Sequence, residues 1–280
     1  MPGAYLPRRD VKNLMQNENI LVWLPSPMGD AILCTPALRA LRRHSKNSKI
    51  TFYANSVVRQ VLSPNPFNDI WLEQKEKNPF KIAKKFREHK FTSAVLFKNS
   101  FASALAIFLA AIPSRTGYAR EGRSLLLTEK LYPPKLSATG FKPFSMIDYY
   151  LAIVSWLGCD TSDRNPEVLI DPKAAETLKD KLPQVTQAKG QIVVLVPGGA
   201  FGPSKCWLSE RFAQTADRLI DNYAATLIVS VSPAAAEKRI ANEICSSSAN
   251  KLINLAETPL SLAELKSLFS KATLVITNAV

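Results

Sequence analysis

The chain has 280 residues, 46% hydrophobic and 21% charged, which excludes a disordered chain and suffices for one large or two medium domains. Its net charge of +13 is unevenly placed: residues 1–165 hold 24 basic against 12 acidic side chains, and residues 166–280 hold 12 against 11. The first half is therefore expected to meet something anionic, with nucleic acid, an acidic membrane surface and a phosphorylated or carboxylated substrate all open. Cys34, Cys159, Cys206 and Cys245 are scattered beside only two histidines, so neither a zinc site nor a disulfide framework is expected, and the usage suits a reducing cytosol. Met1–Asn19 is polar, without a signal-peptide core. The most apolar stretch, Phe101–Ile112, falls short of the roughly 20 residues that span a bilayer.

In chain order, Ile20–Leu24 is an apolar run closed by Pro-Ser-Pro and reads as a buried strand. Met28-Gly-Asp-Ala-Ile opens a helical stretch that restarts at Thr35-Pro36, where Thr suits an N-cap and Pro the first helical position. Lys49–Ala54 and Asp69–Leu72 predict strands, and Pro79–Lys90 a basic helix with Phe80, Ile82, Ala83 and Phe86 at helical spacing. Ser93–Phe97 follows as a strand, 101–112 as an Ala-rich helix, and Met146–Leu157 as a helix ended by Gly158. Asp160–Pro172 is polar and aperiodic. The alternation then resumes: strands at Gln191–Val196, Ala225–Val231, Leu252–Asn254 and Thr273–Thr277, helices at Ser209–Asn222, Ala234–Ser246 and Leu260–Ser270. This pattern predicts two parallel α/β domains, residues 1–165 and 189–280, joined by a linker region over 166–188. In the common doubly wound order the fourth strand of the second domain pairs beside its first. The chain ends directly after that strand, so it is expected to stand as an exposed edge, with the second domain incomplete. A compact four-stranded domain with its own order is the alternative.

Three places could carry chemistry. Ser26-Pro27-Met28-Gly29-Asp30 lies at the carboxyl end of the first strand, where parallel sheets open toward ligands. Gly29 lets a substrate approach the backbone, and Asp30 could accept a proton from an attacking hydroxyl or serve only as a helix N-cap. The second is Val196-Pro-Gly-Gly-Ala-Phe-Gly-Pro-Ser-Lys-Cys-Trp207, between a strand and a helix. Gly198 and Gly199 could offer backbone N–H groups to a phosphate beside the helix terminus, with Ser204 next to Lys205, whose charge could neutralise a diphosphate. The order Ser-Lys-Cys is not that of a P-loop, and a glycine-rich turn with a solvated lysine is the plain alternative. The third is the basic set Lys98, Arg115, Arg120 and Arg123, in or beside loops after strands of the first domain. These could grip carboxylates or phosphates or simply be solvated.

Together these residues resemble the ADP-heptose:lipopolysaccharide heptosyltransferase family. Leu24-Pro-Ser-Pro-Met-Gly-Asp-Ala-Ile-Leu-Cys-Thr-Pro-Ala-Leu-Arg39 is similar to its N-terminal signature. Asn99-Ser-Phe-Ala-Ser-Ala-Leu105, with Ile112-Pro-Ser-Arg-Thr-Gly-Tyr118, resembles the middle of the first domain in its type II members. Pro197-Gly-Gly-Ala-Phe-Gly-Pro-Ser-Lys-Cys-Trp207 resembles their donor-side loop. The resemblance implies a GT-B fold of two Rossmann-like doubly wound domains, with an anionic lipid A–Kdo/heptose acceptor on the first and ADP-heptose on the second. It implies inverting transfer with Asp30 as base and Lys205 on the donor phosphate. Gly198, Gly199, Ser204, Thr277 and Asn278 would be donor contacts, and Lys98, Arg115, Arg120 and Arg123 acceptor contacts. Neither cofactor nor metal is implied, in keeping with the lack of an Asp-x-Asp motif, and no nucleic acid partner. A cytoplasmic monomer, peripheral at the inner membrane, is the expectation. After Leu274-Val-Ile-Thr-Asn278 the family continues with Asp, Ser or Thr, Gly, two residues and His. Here Ala279 and Val280 stand in the first two places, so a C-terminally truncated copy is expected, with its activity open. Two other readings remain: another nucleotide-sugar transferase of this fold, and a non-catalytic protein binding lipid or nucleic acid through the basic half.

Overall fold

The computed structural model describes residues 17–133, 144–188, 190–199 and 205–278. The chain divides into two compact units, the first to Leu169 and the second from Ile170.

The first unit is a six-stranded parallel sheet of β1 (Asn19–Trp23), β2 (Lys49–Ala54), β3 (Ile70–Glu73), β4 (Ser93–Leu96), β5 (Ser114–Tyr118) and β6 (Glu129–Leu131), in the order β3-β2-β1-β4-β5-β6. The helices are α1 (Met28–Leu33), α2 (Thr35–His44), α3 (Ser56–Leu62), α4 (Pro79–His89), α5 (Phe101–Leu109) and α6 (Met146–Trp156). β1 is central, and its alternate side chains feed two cores. Ile20 and Val22 pack with residues of α1, α2 and α6. Leu21 and Trp23 pack with residues of α4 and α5. Trp23 meets Tyr53 and Phe86 edge-on, at 4.8 and 5.7 Å between ring centroids. Burying each such side chain stabilises by about 1.5–3 kcal/mol, so one five-residue strand fastens both helical layers. The strand order reverses across β1 and β4, and ligand crevices form at the carboxyl ends of such strands.

The second unit has β7 (Ile192–Val196), β8 (Thr226–Val229), β9 (Ile253–Asn254) and β10 (Leu274–Thr277), all parallel, in the order β10-β7-β8-β9. Its helices are α7 (Pro172–Lys181), α8 (Pro183–Gln187), α9 (Ser209–Tyr223), α10 (Ala235–Ser247) and α11 (Leu262–Lys271). The fourth strand pairs with the first, as expected for the doubly wound order, with Leu274 opposite Val193 and Thr277 opposite Val196. β10 is an edge, with Leu274 and Val275 exposed.

Several local expectations need amendment. The segment 166–188, expected as a linker, contributes α7 and α8 to the second unit, with Leu178, Leu182 and Val185 in its core. The α2 N-cap is Cys34 rather than Thr35. Thr35 Oγ1 instead donates to the Ile32 carbonyl and accepts the Glu167 N–H. β5 and β6 were not expected, because Ser-Arg-Thr-Gly-Tyr and Glu-Lys-Leu lack an apolar run. They are recruited by pairing onto β4 and β5, a tertiary effect that outweighs propensity.

One buried charge fixes the end of the first unit. Arg39, on α2, donates to the carboxylates of Asp163 (2.7 Å) and Glu167 and to the Asn165 carbonyl (2.9 Å). It thereby pins residues 163–167 against the helix. Arg39→Ala leaves those acceptors without their donor, and we expect a loss of about 1.5–3 kcal/mol in urea unfolding, the range for hydrogen bonds to charged groups.

Candidate functional site

The loop leaving β1 carries Pro25, Ser26 and Pro27, and α1 begins at Met28 with Pro27 as its N-cap. Asp30 is therefore the third helical residue and not the cap. Its carboxylate stays near the positive helix start, which favours the charged form, but burial raises its pKa above the ordinary 3.8. Burial, then the charge of Asp30, raises the pKa of the Cys34 thiol and of the Tyr150 hydroxyl from α6. Apart from its chain neighbours and the backbone of its own helix, no heavy atom among the described residues lies within 4 Å of where a Cβ on Gly29 would stand. The backbone before Asp30 is thus open to a ligand.

Across the strand-order reversal, the loop after β4 presents Lys98. Its Nζ donates to Ser26 Oγ at 2.9 Å and stands 6.0 Å from the Trp23 ring centroid, and burial lowers its pKa. Asn55, after β2, caps α3 through Val58 N–H and donates to the Ser26 carbonyl at 3.1 Å. These groups border a cavity of about 320 Å3, lined also by Lys75 and Lys77 from the loop after β3 and by Ser100 from the loop before α5. Asp30 is not among its lining residues; it lies on the turn beyond Ser26, on the side of α6.

The three arginines divide. Arg123 is fully buried. It donates to the carbonyls of Tyr118 (2.7 Å) and Lys98 (2.8 Å) and to Asn99 Oδ1 (2.7 Å), so it shapes the loop that carries Lys98 instead of facing an acceptor. Arg115 sits at the start of β5, the end of the strand opposite the crevice. It donates to the Leu126 and Ile112 carbonyls and stacks on Phe108 at 5.6 Å, so it does not join the set. Arg120 lies just past the carboxyl end of β5 and acts on the Tyr149 hydroxyl. Burial raises the Tyr149 hydroxyl, and hydrogen bonding and charge from Arg120, with Asn99, act against that. Tyr149 stacks on Tyr118 at 3.9 Å, and Tyr118 donates to the Tyr149 carbonyl at 2.9 Å.

In the second unit the glycine-rich loop leaves β7, again beside a strand-order reversal. Gly198 and Gly199 lie on it and Lys205 is exposed at its far side; Ser204 lies outside the described residues. Thr277 and Asn278, expected as donor contacts, turn toward the loop. Thr277 Oγ1 donates to the Val196 carbonyl at 3.0 Å. Asn278 donates to the Pro197 and Gly198 carbonyls and accepts the Trp207 N–H at 2.8 Å. Glu237, in the first turn of α10, was missed. Its carboxylate accepts the Ser232 N–H at 2.9 Å and lies against Gly198, where a Cβ would clash with Oε2. An acid in the first turn after the second strand is the signal that could have found it, and a helix-capping Asn after β2 the signal for Asn55.

Residues 79–279 match the sequence profile of Glycosyltransferase family 9 (heptosyltransferase). Lipopolysaccharide heptosyltransferase 2 of Escherichia coli strain K12 is 29% identical over 216 residues, 72% of this chain. The match spans 60% of that relative's length. A crystal structure of a family 9 glycosyl transferase from Veillonella parvula is similar with a TM-score of 0.80 at 20% identity, covering 94% of this chain and 75% of that one. The structure of E. coli ADP-heptose lps heptosyltransferase II gives 0.71 at 22%, covering 93% and 78%. The two structural likenesses establish the fold, an α/β architecture of GT-B type.

Two substitutions test the loop architecture. Arg123→Lys keeps the charge but replaces a planar fork with one ammonium; we expect a loss of about 1.5–3 kcal/mol and faster amide exchange over residues 98–103. Gly198→Ala forces the Glu237 carboxylate off Ser232, whereas Gly199→Ala meets only Cys206 Sγ at 3.4 Å. Melting temperature should fall for the first and hold for the second.

Proposed function

The chain belongs to glycosyltransferase family 9 (heptosyltransferase), and from that premise we propose that it transfers heptose from ADP-heptose to the inner core of lipopolysaccharide, with inversion. The first unit takes the acceptor, the second the nucleotide sugar. A hydroxyl of the acceptor gives its proton to Asp30 as its oxygen bonds to the anomeric carbon. The bond from that carbon to the diphosphate breaks, and the electron pair leaves with ADP. Lys205 and the N–H groups around Gly198 and Gly199 meet the charge that builds on the leaving diphosphate. Ser204, which precedes Lys205 in the sequence, is the further donor contact of this proposal. Thr277 and Asn278 hold the loop in shape for this task. Lys98 and Arg120 receive the anionic groups of the acceptor. The protein works as a monomer in the cytoplasm, peripheral to the inner membrane; among the described residues, no helix is long and apolar enough to cross a membrane.

The observation that carries this reading is the setting of Asp30: third in its helix behind an open glycine, not used as a cap, and with its pKa raised by burial. A raised pKa makes a stronger base, as general-base catalysis near neutral pH requires. Incubation with ADP-heptose and a panel of other ADP- and UDP-sugars should give product with the first alone; turnover with a UDP-sugar only would sink the assignment of the donor. Asp30→Asn should lose roughly 10²-fold or more in turnover.

The sign of the stability change separates base from scaffold. Because folding raises the Asp30 pKa, its charged form disfavours the folded state above that pKa, and the penalty fades as pH falls through it toward 3.8. Asp30→Asn should therefore melt no lower than the parent at pH 7 while losing activity. In the parent, kcat/KM should fall as acid protonates Asp30, starting above the ordinary carboxylate range. An unchanged rate in Asp30→Asn would leave the residue without a catalytic part.

A further inference from the structure

The cavity of the first unit opens between the first turns of α4 and α5, since Lys77 and Ile82 line it from one side and Ser100, Ala102 and Ser103 from the other. A phenylalanine stands at each helix start. Phe80, second in α4, is 66% exposed, and Phe101, first in α5, is 48% exposed. Neither is on a loose segment: Asn78 caps α4 by accepting the Phe80 N–H at 2.9 Å, and Ser100 caps α5 through Ser103 N–H at 3.2 Å. Phe108, also exposed at the far end of α5, differs because the Arg115 guanidinium covers its ring.

Exposed cations flank Phe80 along the chain, and two of them, Lys75 and Lys77, line the same cavity as Ser100 beside Phe101. Lys75, Lys77, Lys81 and Lys84 are all exposed. The nearby acid, Glu76, already accepts the N–H groups of Lys77 and Asn78 and lies 3.5 Å from Lys81. Phe80, Lys84 and Arg87 follow at helical spacing on the outer face of α4, while Ile82, Ala83 and Phe86 are buried on the inner one. Rigid aromatic tips amid ammonium groups on a convex helix match the boundary of an anionic bilayer, where rings enter the acyl edge and lysines stay with the phosphates. A single-stranded nucleic acid would instead need a groove lined by stacking faces.

We propose that the rim of this cavity is the membrane-docking edge of the protein, with Phe80 and Phe101 inserting into an anionic lipid surface and Lys81 and Lys84 meeting its headgroups. The inference deepens the transfer reading, on which it rests for the idea that a lipid-linked acceptor must reach Lys98. The docking itself needs neither donor nor acceptor. It places the cavity mouth flush with the surface that holds the acceptor's lipid.

The test is co-sedimentation of the full chain with vesicles of phosphatidylethanolamine carrying about 30% phosphatidylglycerol, against neutral phosphatidylcholine vesicles, at low and high salt. We expect at least about tenfold stronger partitioning to the anionic vesicles, weakened by salt. The Phe80→Ser/Phe101→Ser double variant should bind about tenfold more weakly. Lys81→Glu/Lys84→Glu changes only exposed side chains, so it folds even if the first variant does not, and it should also release the protein. Phe108→Ser should bind as the parent does. Equal binding to neutral vesicles, no binding, undiminished binding by the lysine variant, or preference for a single-stranded oligonucleotide over vesicles would each overturn the proposal. A parallel assay with a delipidated, water-soluble acceptor separates the two readings. Failure of transfer there with vesicle binding intact removes the transferase assignment alone, and transfer without vesicle binding removes the docking edge alone.

Discussion

Arg123 buries a full positive charge among the groups that close β4 and β5, and the crevice edge of the first unit is organised around it. A guanidinium has donors in a fixed planar fork, and here they reach the Tyr118 carbonyl at the end of β5 and the Lys98 carbonyl and Asn99 amide oxygen in the loop after β4. Burying such a charge is unfavourable unless every donor is met. The loop after β4 therefore has little freedom in how it turns. Lys98 then projects toward Ser26 rather than into solvent, and the loops after the first and fourth strands become one surface.

The second unit reaches the same arrangement with neutral groups. Its first and fourth strands are also neighbours across a reversal of strand order, and side chains at the end of the fourth strand hold the loop that leaves the first. Thr277 and Asn278 do there what Lys98 and Arg123 do in the first unit. The difference suits the ligands proposed for each. Under the proposed function, a loop held through its Val196, Pro197 and Gly198 carbonyls is compatible with N–H groups meeting a diphosphate.

Much of this was legible in the sequence, for identifiable reasons. Strands such as Ile20–Leu24 and Gln191–Val196 are buried on both faces and read as apolar runs. The Thr35-Pro36 restart and the glycine-rich loop announce themselves through backbone chemistry. The position of Asp30 at a strand's carboxyl end was legible too, although only coordinates show that Pro27 occupies the cap. What a side chain pairs with across tens of residues was not legible. Arg115, Arg120 and Arg123 look alike in one dimension, yet they lie at opposite ends of a strand or in the core. Their fates depend on β5, a strand with no apolar run of its own. For Thr277 and Asn278 the sequence could not show the hydrogen bonds that both side chains make to the glycine-rich loop.

Among the described residues, β10 pairs with β7, and the side chains at its end reach back to the loop that β7 feeds. The glycine-rich loop borrows its shape from that strand across about eighty residues of chain. A displacement of Thr277 and Asn278 would release the Val196, Pro197 and Gly198 carbonyls and the Trp207 N–H together. Both ends of the glycine-rich loop are thus tied to two adjacent residues far along the chain, so they answer to a single point of support.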